Sequence, residues 1–254
     1  MLSKAKIKYI HSLELKKNRK TEHVFVAEGP KLVEDLLGHF TCRFLAASHE
    51  WLTRHPHLQI EEWVEAGQEE LSKASFLKTP QEVIAVFEQP DYSINYTLPE
   101  KDLCLALDGI QDPGNLGTII RLADWFGIEH IYCSLNTTDV FNPKAVQATM
   151  GALSRVRLYY TALPSFIEGL KDKAPIYGTF LNGDNMYNQA LTSNGLIVMG
   201  NEGNGVSPEI ERLITQRLYI PNYPSDRATS ESLNVAMATA IVCAEFRRRL
   251  LPLP

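Results

Sequence analysis

The sequence predicts an α/β protein in two parts: a parallel sheet covered by helices on both faces, preceded by a smaller α/β unit. Three observations predict it. Beyond residue 102, short unbroken apolar runs such as "LCLAL" and "GLIVMG" alternate with segments of helical period, the pattern of strands buried on both faces and joined by crossover helices. Residues 88–102, "EQPDYSINYTLPEKD", hold two prolines and several turn-forming residues with little apolar period, as linkers do. The chain has 254 residues, 44% of them apolar, enough for one large core or two smaller ones.

The elements follow in order. "KAKIKYIHSLELKK" reads as one helix, "HVFVAEG" as a strand, and "PKLVEDLLG" as a helix with Pro30 at its start and Gly38 at its end. "CRFLAAS", "QIEEWV" and "VIAVFEQ" are further strands, with "AGQEELSKAS" a helix before the last. After the linker come "LCLAL" (strand), "LGTIIRLADWFG" (helix closed by Gly127), "IEHIYCS" (strand) and "NPKAVQATMGAL" (helix). In that helix Asn142 is the N-cap and Pro143 lies in the first turn. Then follow "PSFIEGLKDK" (helix), "PIYGTFL" and "GLIVMG" (strands), "SPEIERLITQ" (helix capped by Ser207), "RLYIP" (strand) and a long final helix, "SESLNVAMATAIVCAEFRRRL". The domains expected are 1–95 and 96–254.

No apolar run reaches the roughly 18 residues of a membrane span, and the basic, periodic N-terminus lacks the apolar stretch of a signal peptide. Cys42, Cys104, Cys133 and Cys243 fit neither a zinc pattern nor a disulfide framework. Three of them lie inside apolar runs, where a reduced, buried thiol is expected. A cytoplasmic protein without membrane or metal is the expectation. The net charge is −5, yet residues 1–23 carry seven basic residues against two acidic ones. That end is therefore +5 and the rest −10. Such a cluster is either an electrostatic footprint for a polyanion or a solvated helix face.

In parallel α/β sheets, ligands bind at the carboxyl ends of the strands, which singles out three strand-to-helix loops. The first holds "DPGNLG", with Arg121 six positions after Asn115. In a helix starting near Gly117, Arg121 is about one turn in and faces the loop mouth, unless it pairs with Asp124 or Glu129 on the surface. The second is "LIVMGNEGNGVSPEI", with Gly200, Gly203 and Gly205. Its spacing is the reverse of the dinucleotide fingerprint, and no Lys-Ser/Thr pair follows. Glu202 in mid-loop would repel a pyrophosphate. What remains is close approach to a neutral or cationic ligand, or a tight turn with none. The third loop leads into the last helix, whose first turn is expected to hold Ser232 and Asn234 as ligand contacts or as caps. Leu233, Met237, Ala240, Ile241 and Ala244 repeat at helical spacing and are expected to be buried.

In order and spacing the three loops resemble the motifs of the SpoU (TrmH-like) family of RNA ribose 2′-O-methyltransferases, in the SPOUT superfamily. The family's Asn-x-Gly-x-x-x-Arg is matched by Asn115, Gly117 and Arg121, and its Gly-x-Glu-Gly-x-Gly by Gly200, Glu202, Gly203 and Gly205. Its Ile-Pro followed by Ser-Leu-Asn-Val is matched by Ile220, Pro221 and residues 232–235. The third motif departs from the family pattern: Asn222 stands where methionine is usual, and the loop before Ser232 is longer. The N-terminal segment, with its basic run, strand and Glu28-Gly29, is similar to the family's L30e-like substrate-binding domain.

The resemblance implies a C-terminal SPOUT domain with a deep trefoil knot, S-adenosylmethionine as cofactor, and RNA, more often ribosomal than transfer RNA, as substrate. It implies a homodimer with a shared site and no role for DNA. It implies Arg121, Asn115, Glu202, Ser232 and Asn234 as catalytic. The cofactor would lie against Thr179, Gly200, Gly203, Ile220 and Leu233, the loops' N–H and C=O groups pairing with adenine. RNA would meet Lys16, Lys17, Arg19 and Lys20. An arginine is a poor base because it stays protonated, so Arg121 is expected to clamp a phosphate and stabilise a developing alkoxide. Two competing readings are a non-catalytic RNA-binding protein on the same scaffold and a nicotinamide oxidoreductase. The intact Arg121, Glu202 and Asn234 oppose the first, and the reversed glycine spacing opposes the second.

Overall fold

The computed structural model of the chain describes residues 1–58, 60, 62–224 and 232–250. These divide into two compact units, one of residues 1–91 with 139–154, the other of 92–138 with 155 onward. The first contains α1 (Lys4–Ser12), α2 (Lys16–Glu22), β1 (Val24–Glu28), α3 (Pro30–Leu36), β2 (Cys42–Ala47), α4 (His49–Arg54), β3 (Trp63–Glu65), α5 (Gln68–Ala74) and β4 (Val83–Glu88). Its sheet order is β1-β4-β2-β3, antiparallel except for β2–β3. Gln59 and Glu61 of the predicted strand before Val64 lie outside the described residues.

The single helix expected at the N-terminus is two. The chain turns extended at Leu15, and the carbonyls freed there find side-chain donors. Asn18 Nδ2 donates to Ser12 O (2.7 Å), and Arg19 donates to Leu13 O (2.8 Å) and Glu14 O (2.6 Å). Arg19 also pairs with Asp139 at 2.6 Å and is only 1% exposed. It therefore cannot meet RNA, which corrects the expectation for this residue. Lys16, Lys17 and Lys20 are exposed.

The second unit contains β5 (Leu103–Leu107), α6 (Pro113–Trp125) and β6 (His130–Ser134). The chain then crosses into the first unit for α7 (Pro143–Thr149) and returns for β7 (Arg157–Thr161) and α8 (Leu163–Glu168). β8 (Ile176–Asn185), β9 (Gly195–Met199), α9 (Pro208–Glu211), β10 (Gln216–Tyr219) and α10 (Val235–Arg248) complete it. The six strands run in the order β10-β8-β9-β5-β6-β7, every pair parallel. β5 and β9 are wholly buried.

Three expectations fail here for physical reasons. β7 went unread because it is an edge strand in which "RLYYT" is mostly half-exposed instead of one apolar run. α7 has the predicted cap, Asn142 accepting from Lys144 N, but belongs to the first unit. There it packs on β1, with Phe141 stacked on Phe25 at 5.0 Å. The apolar stripe foreseen on the last helix faces outward: Leu233 is 50% and Met237 53% exposed, while Val235, Ala236, Thr239, Val242, Cys243 and Phe246 are buried. Both stripes have helical spacing, and packing against α6 selects the one with valines and phenylalanine.

Candidate active site at the carboxyl ends of β8, β9 and β10

A cavity of about 460 Å³ opens where β9 ends in the glycine loop, walled by Thr179, Met199, Gly200, Glu202, Gly203, Ile220, Ser232 and Leu233 among others. All five residues expected to hold a cofactor thus line one cavity. Of the expected catalytic residues, Glu202 and Ser232 line it as well, and Asn115, Arg121 and Asn234 do not.

The glycine loop is built on itself. Asn201 and Gly205 exchange both backbone hydrogen bonds at 2.9 Å. Gly205 has φ +67°, and a Cβ on Gly200 would stand 2.2–2.6 Å from the backbone of Gly205 and Val206. Asn201 Oδ1 accepts from Gly203 N (2.9 Å) and Asn204 N (3.0 Å). Four loop N–H groups are therefore spent inside the loop. A phosphate needs such donors free, and these four are not. The same bonds leave the N–H groups of Asn201, Gly203, Asn204 and Gly205 unavailable to a ligand. At Gly203 a Cβ would meet nothing nearer than Asn201 Oδ1 at 3.6 Å, so the space there belongs to the cavity.

Three motif residues from three loops join in one chain of hydrogen bonds. Asn234 is the N-cap of α10, its Oδ1 accepting from Ala236 N and Met237 N. That leaves Asn234 Nδ2 to donate to Asn115 Oδ1 at 3.0 Å, and Asn115 Nδ2 to donate to Glu202 Oε1 at 3.1 Å. Each amide's orientation is thus set by its neighbour. Glu202 also accepts from Gln111 N (3.2 Å), Asp112 N (3.4 Å) and Asn201 Nδ2 (3.5 Å). Burial opposes its ionisation, but the bonds from Asn115 and the backbone outweigh it and hold the carboxyl below the usual range. A carboxylate has about four acceptor positions; four outside donors fill them. Glu202 is therefore a charged anchor and has no position left for a substrate proton.

α6 begins at Pro113, capped by Asp112, whose Oδ1 accepts from Asn115 N. Arg121 is therefore eight residues along, about 12 Å at 1.5 Å per residue, more than two turns from the loop instead of the expected one. It is exposed and has no hydrogen-bond or ion-pair partner among the described residues. Asp124, its candidate surface partner, is held by Arg155 through two 2.8 Å bonds. Ser232 and Asn234 precede α10 instead of lying in its first turn, and residues 225–231 of the lengthened loop lie outside the described residues. Sequence reading missed Asn201, Gln111 and Asp112. The available signal was an Asn two residues before a loop glycine, a common turn-former. Among the described residues, no group of three or more His, Cys, Asp or Glu side chains could hold a metal ion.

The SpoU rRNA Methylase family model matches residues 102–244. The chain belongs to that family. In this SpoU protein residues 4–85 also match an MRM3-like substrate binding domain. It is 32% identical over 248 residues to the 23S rRNA (guanosine(2553)-2'-O)-methyltransferase RlmP of Bacillus subtilis (strain 168), spanning 95% of this chain and 96% of the relative. Its fold matches a structure from Porphyromonas gingivalis assigned to the TrmH family of RNA methyltransferases (TM-score 0.88, 41% identity, 98% of this chain and 99% of the other). It also matches an AdoMet-bound rRNA methyltransferase from Sinorhizobium meliloti (TM-score 0.84, 31% identity, 99% and 97%). The SpoU motifs at Asn115, Glu202 and Asn234 are the ones joined by hydrogen bonds here.

Proposed function

We propose that this SpoU protein transfers a methyl group from S-adenosylmethionine to a ribose 2′-hydroxyl of ribosomal RNA. The observation that carries it is the Asn234–Asn115–Glu202 chain at the edge of a cavity whose glycine loop spends four of its N–H groups on itself. The residues present fit the cofactor. The cavity lies within the usual ligand range of roughly 300–1,000 Å³. Gly203 leaves open the space a side chain would fill. An ionised carboxylate, Glu202, stands in the wall, which suits a cation and opposes a pyrophosphate.

S-adenosylmethionine, when bound, supplies a methyl group on a positive sulfur. The chain's own part is positional and electrostatic. Alignment of a bound hydroxyl can contribute about 7–11 kcal/mol. Glu202 is too fully hydrogen-bonded to take the hydroxyl proton, so it fixes Asn115 and Asn234, and through them the entrance of α6 and α10. Arg121 holds the RNA phosphate and stabilises the oxygen as its proton leaves. Its unpaired state supports that role. Its distance from the loop supports a homodimer in which it serves the site of a second copy, as do the exposed Trp125, Leu233 and Met237. The trefoil knot belongs to the same reading, supported by the order β10-β8-β9 and the return of α10 onto α6. Ribosomal RNA is favoured because the B. subtilis and S. meliloti relatives match nearly end to end. A cytoplasmic location accords with four free, buried cysteines; among the described residues no helix is long and apolar enough to cross a membrane.

Arg121→Ala should abolish transfer of labelled methyl from S-adenosylmethionine to ribosomal RNA while cofactor affinity, read by calorimetry, stays near wild type. Arg121→Lys should also be poor, because an ammonium cannot make the bidentate contact. Activity of the alanine variant within about tenfold of wild type, roughly 1.4 kcal/mol, would overturn the role given to Arg121. A wild-type protein that binds S-adenosylmethionine and methylates no RNA would overturn the function.

A further inference from the structure

Asn201 sits between two things a methyltransferase must coordinate: the loop that walls the cofactor cavity and the carboxylate that organises the catalytic motifs. Its two amide atoms face different ways. Oδ1 accepts the N–H groups of Gly203 and Asn204, both of which line the cavity. Nδ2 donates to Gly109 O at 2.6 Å and reaches Glu202 Oε2 at 3.5 Å. Gly109 O accepts from Gln111 Nε2 as well (3.0 Å), and the backbone N–H of Gln111 donates to the same Glu202 oxygen. Gly109 N is tied to Ser134 Oγ (2.8 Å) and Thr137 Oγ1 (3.2 Å), so the carbonyl Asn201 grips is anchored to the end of β6.

We infer that Asn201 is a positioning residue that couples the shape of the cofactor loop to the placement of Glu202, an inference that rests on the methyl-transfer reading above. The physical reason is the division of its amide. One oxygen satisfies two loop donors that would otherwise turn toward the cavity. One nitrogen pins the loop after β5, whose backbone N–H groups set the carboxylate. A movement of either loop must pass through this side chain or break its bonds. No other described side chain hydrogen-bonds both Gly109 and the glycine loop. Asparagine is the residue type this needs, because it offers an acceptor and donors about 2 Å apart on a short stem.

The test separates the two halves. Asn201→Ser keeps an oxygen able to accept from the N–H two residues on and removes the donor to Gly109. Asn201→Asp keeps the acceptors, removes the donor and places a negative charge beside Glu202. Both should bind S-adenosylmethionine within about threefold of wild type by calorimetry, with kcat for RNA methylation lowered by at least about tenfold. In Asn201→Asp the Glu202 carboxyl, followed by carbon-13 NMR, should titrate at higher pH than in wild type, because a like charge disfavours ionisation. Its acid limb of kcat should move the same way. The NMR and calorimetric readouts need no methyl transfer, so they stand even if the proposed reaction fails. Parallel losses of cofactor affinity and kcat in both variants, the mark of a merely structural residue, would overturn the inference. So would an unchanged kcat together with an unchanged Glu202 titration.

Discussion

Gly200 and Gly203 stand three residues apart in one loop and differ in what surrounds them. A methyl group on Gly200 would meet backbone atoms of Gly205 and Val206 at 2.2–2.6 Å, and backbone cannot swing aside. Gly200→Ala should therefore lower stability by about 1–3 kcal/mol or more, as overpacking does, which is a fall of about 2–4 °C in melting temperature per kcal/mol at this size. Gly203 meets only Asn201 Oδ1 at 3.6 Å and has no positive φ. Gly203→Val should leave the melting temperature nearly unchanged, within the roughly 0.5 kcal/mol typical of surface changes, while S-adenosylmethionine affinity falls steeply. Calorimetric titration alongside thermal melting reads both. Unchanged affinity in Gly203→Val would place the cofactor elsewhere.

At the scale of elements, α10 carries the clearest electrostatic feature. Glu245 is 4% exposed yet ionised, since Arg248 (2.7 and 2.9 Å) and Arg249 (2.8 Å) converge on it from the next turn. The Arg248 bond first, then Arg249, act against burial and hold the carboxyl at about 2. Arg249 also donates to the Met186, Tyr187 and Gln189 carbonyls, and Arg247 to those of Phe126 and Gly127 (2.7 and 2.8 Å). The end of the helix thus closes over the segment after β8 and over the end of α6. A carboxyl lower in the folded state than its ordinary value of about 4.3 stabilises the fold above that value and loses this contribution as pH falls toward about 2. Urea unfolding should therefore show wild type more stable than Glu245→Gln at pH 7, with the gap shrinking as the pH falls from 5 to about 2. A gap independent of pH would mean that packing, and not the charge, holds the helix end.

For the whole molecule, the basic run of α2 divides between exposed lysines and an arginine that holds the first unit together. Lys16, Lys17 and Lys20 are exposed on α2, while Arg19, from the same basic run, is buried against Asp139. Neutralising the three lysines should weaken RNA binding and flatten its dependence on salt, each lost phosphate contact lowering the log–log slope by about 0.7–0.9. S-adenosylmethionine affinity should not change. Arg19→Ala should act differently. It leaves Asp139 largely buried without its ion-pair partner, at a cost of about 3–5 kcal/mol, which appears in denaturant unfolding. An unchanged salt slope in the triple variant would remove RNA from this face.

Read alone, the sequence determined the α/β class, the parallel sheet, every strand of it except β7, and the three loops that carry the site. Apolar runs, glycine spacing and caps such as Asn142 are local signals, and they survive folding because each depends on a few neighbouring residues. The tertiary structure decided the rest. It decided which of two equally periodic stripes on α10 is buried, because that depends on α6. It decided that α7 joins the first unit and that Arg19 is an internal strut, because their partners lie more than a hundred residues away. It decided, too, that Glu202 is an anchor with its acceptor positions filled and that Asn201 stands beside it. Hydrogen-bond capacity is used up by donors from two loops brought together only in space, and no spacing along the chain records how much is left.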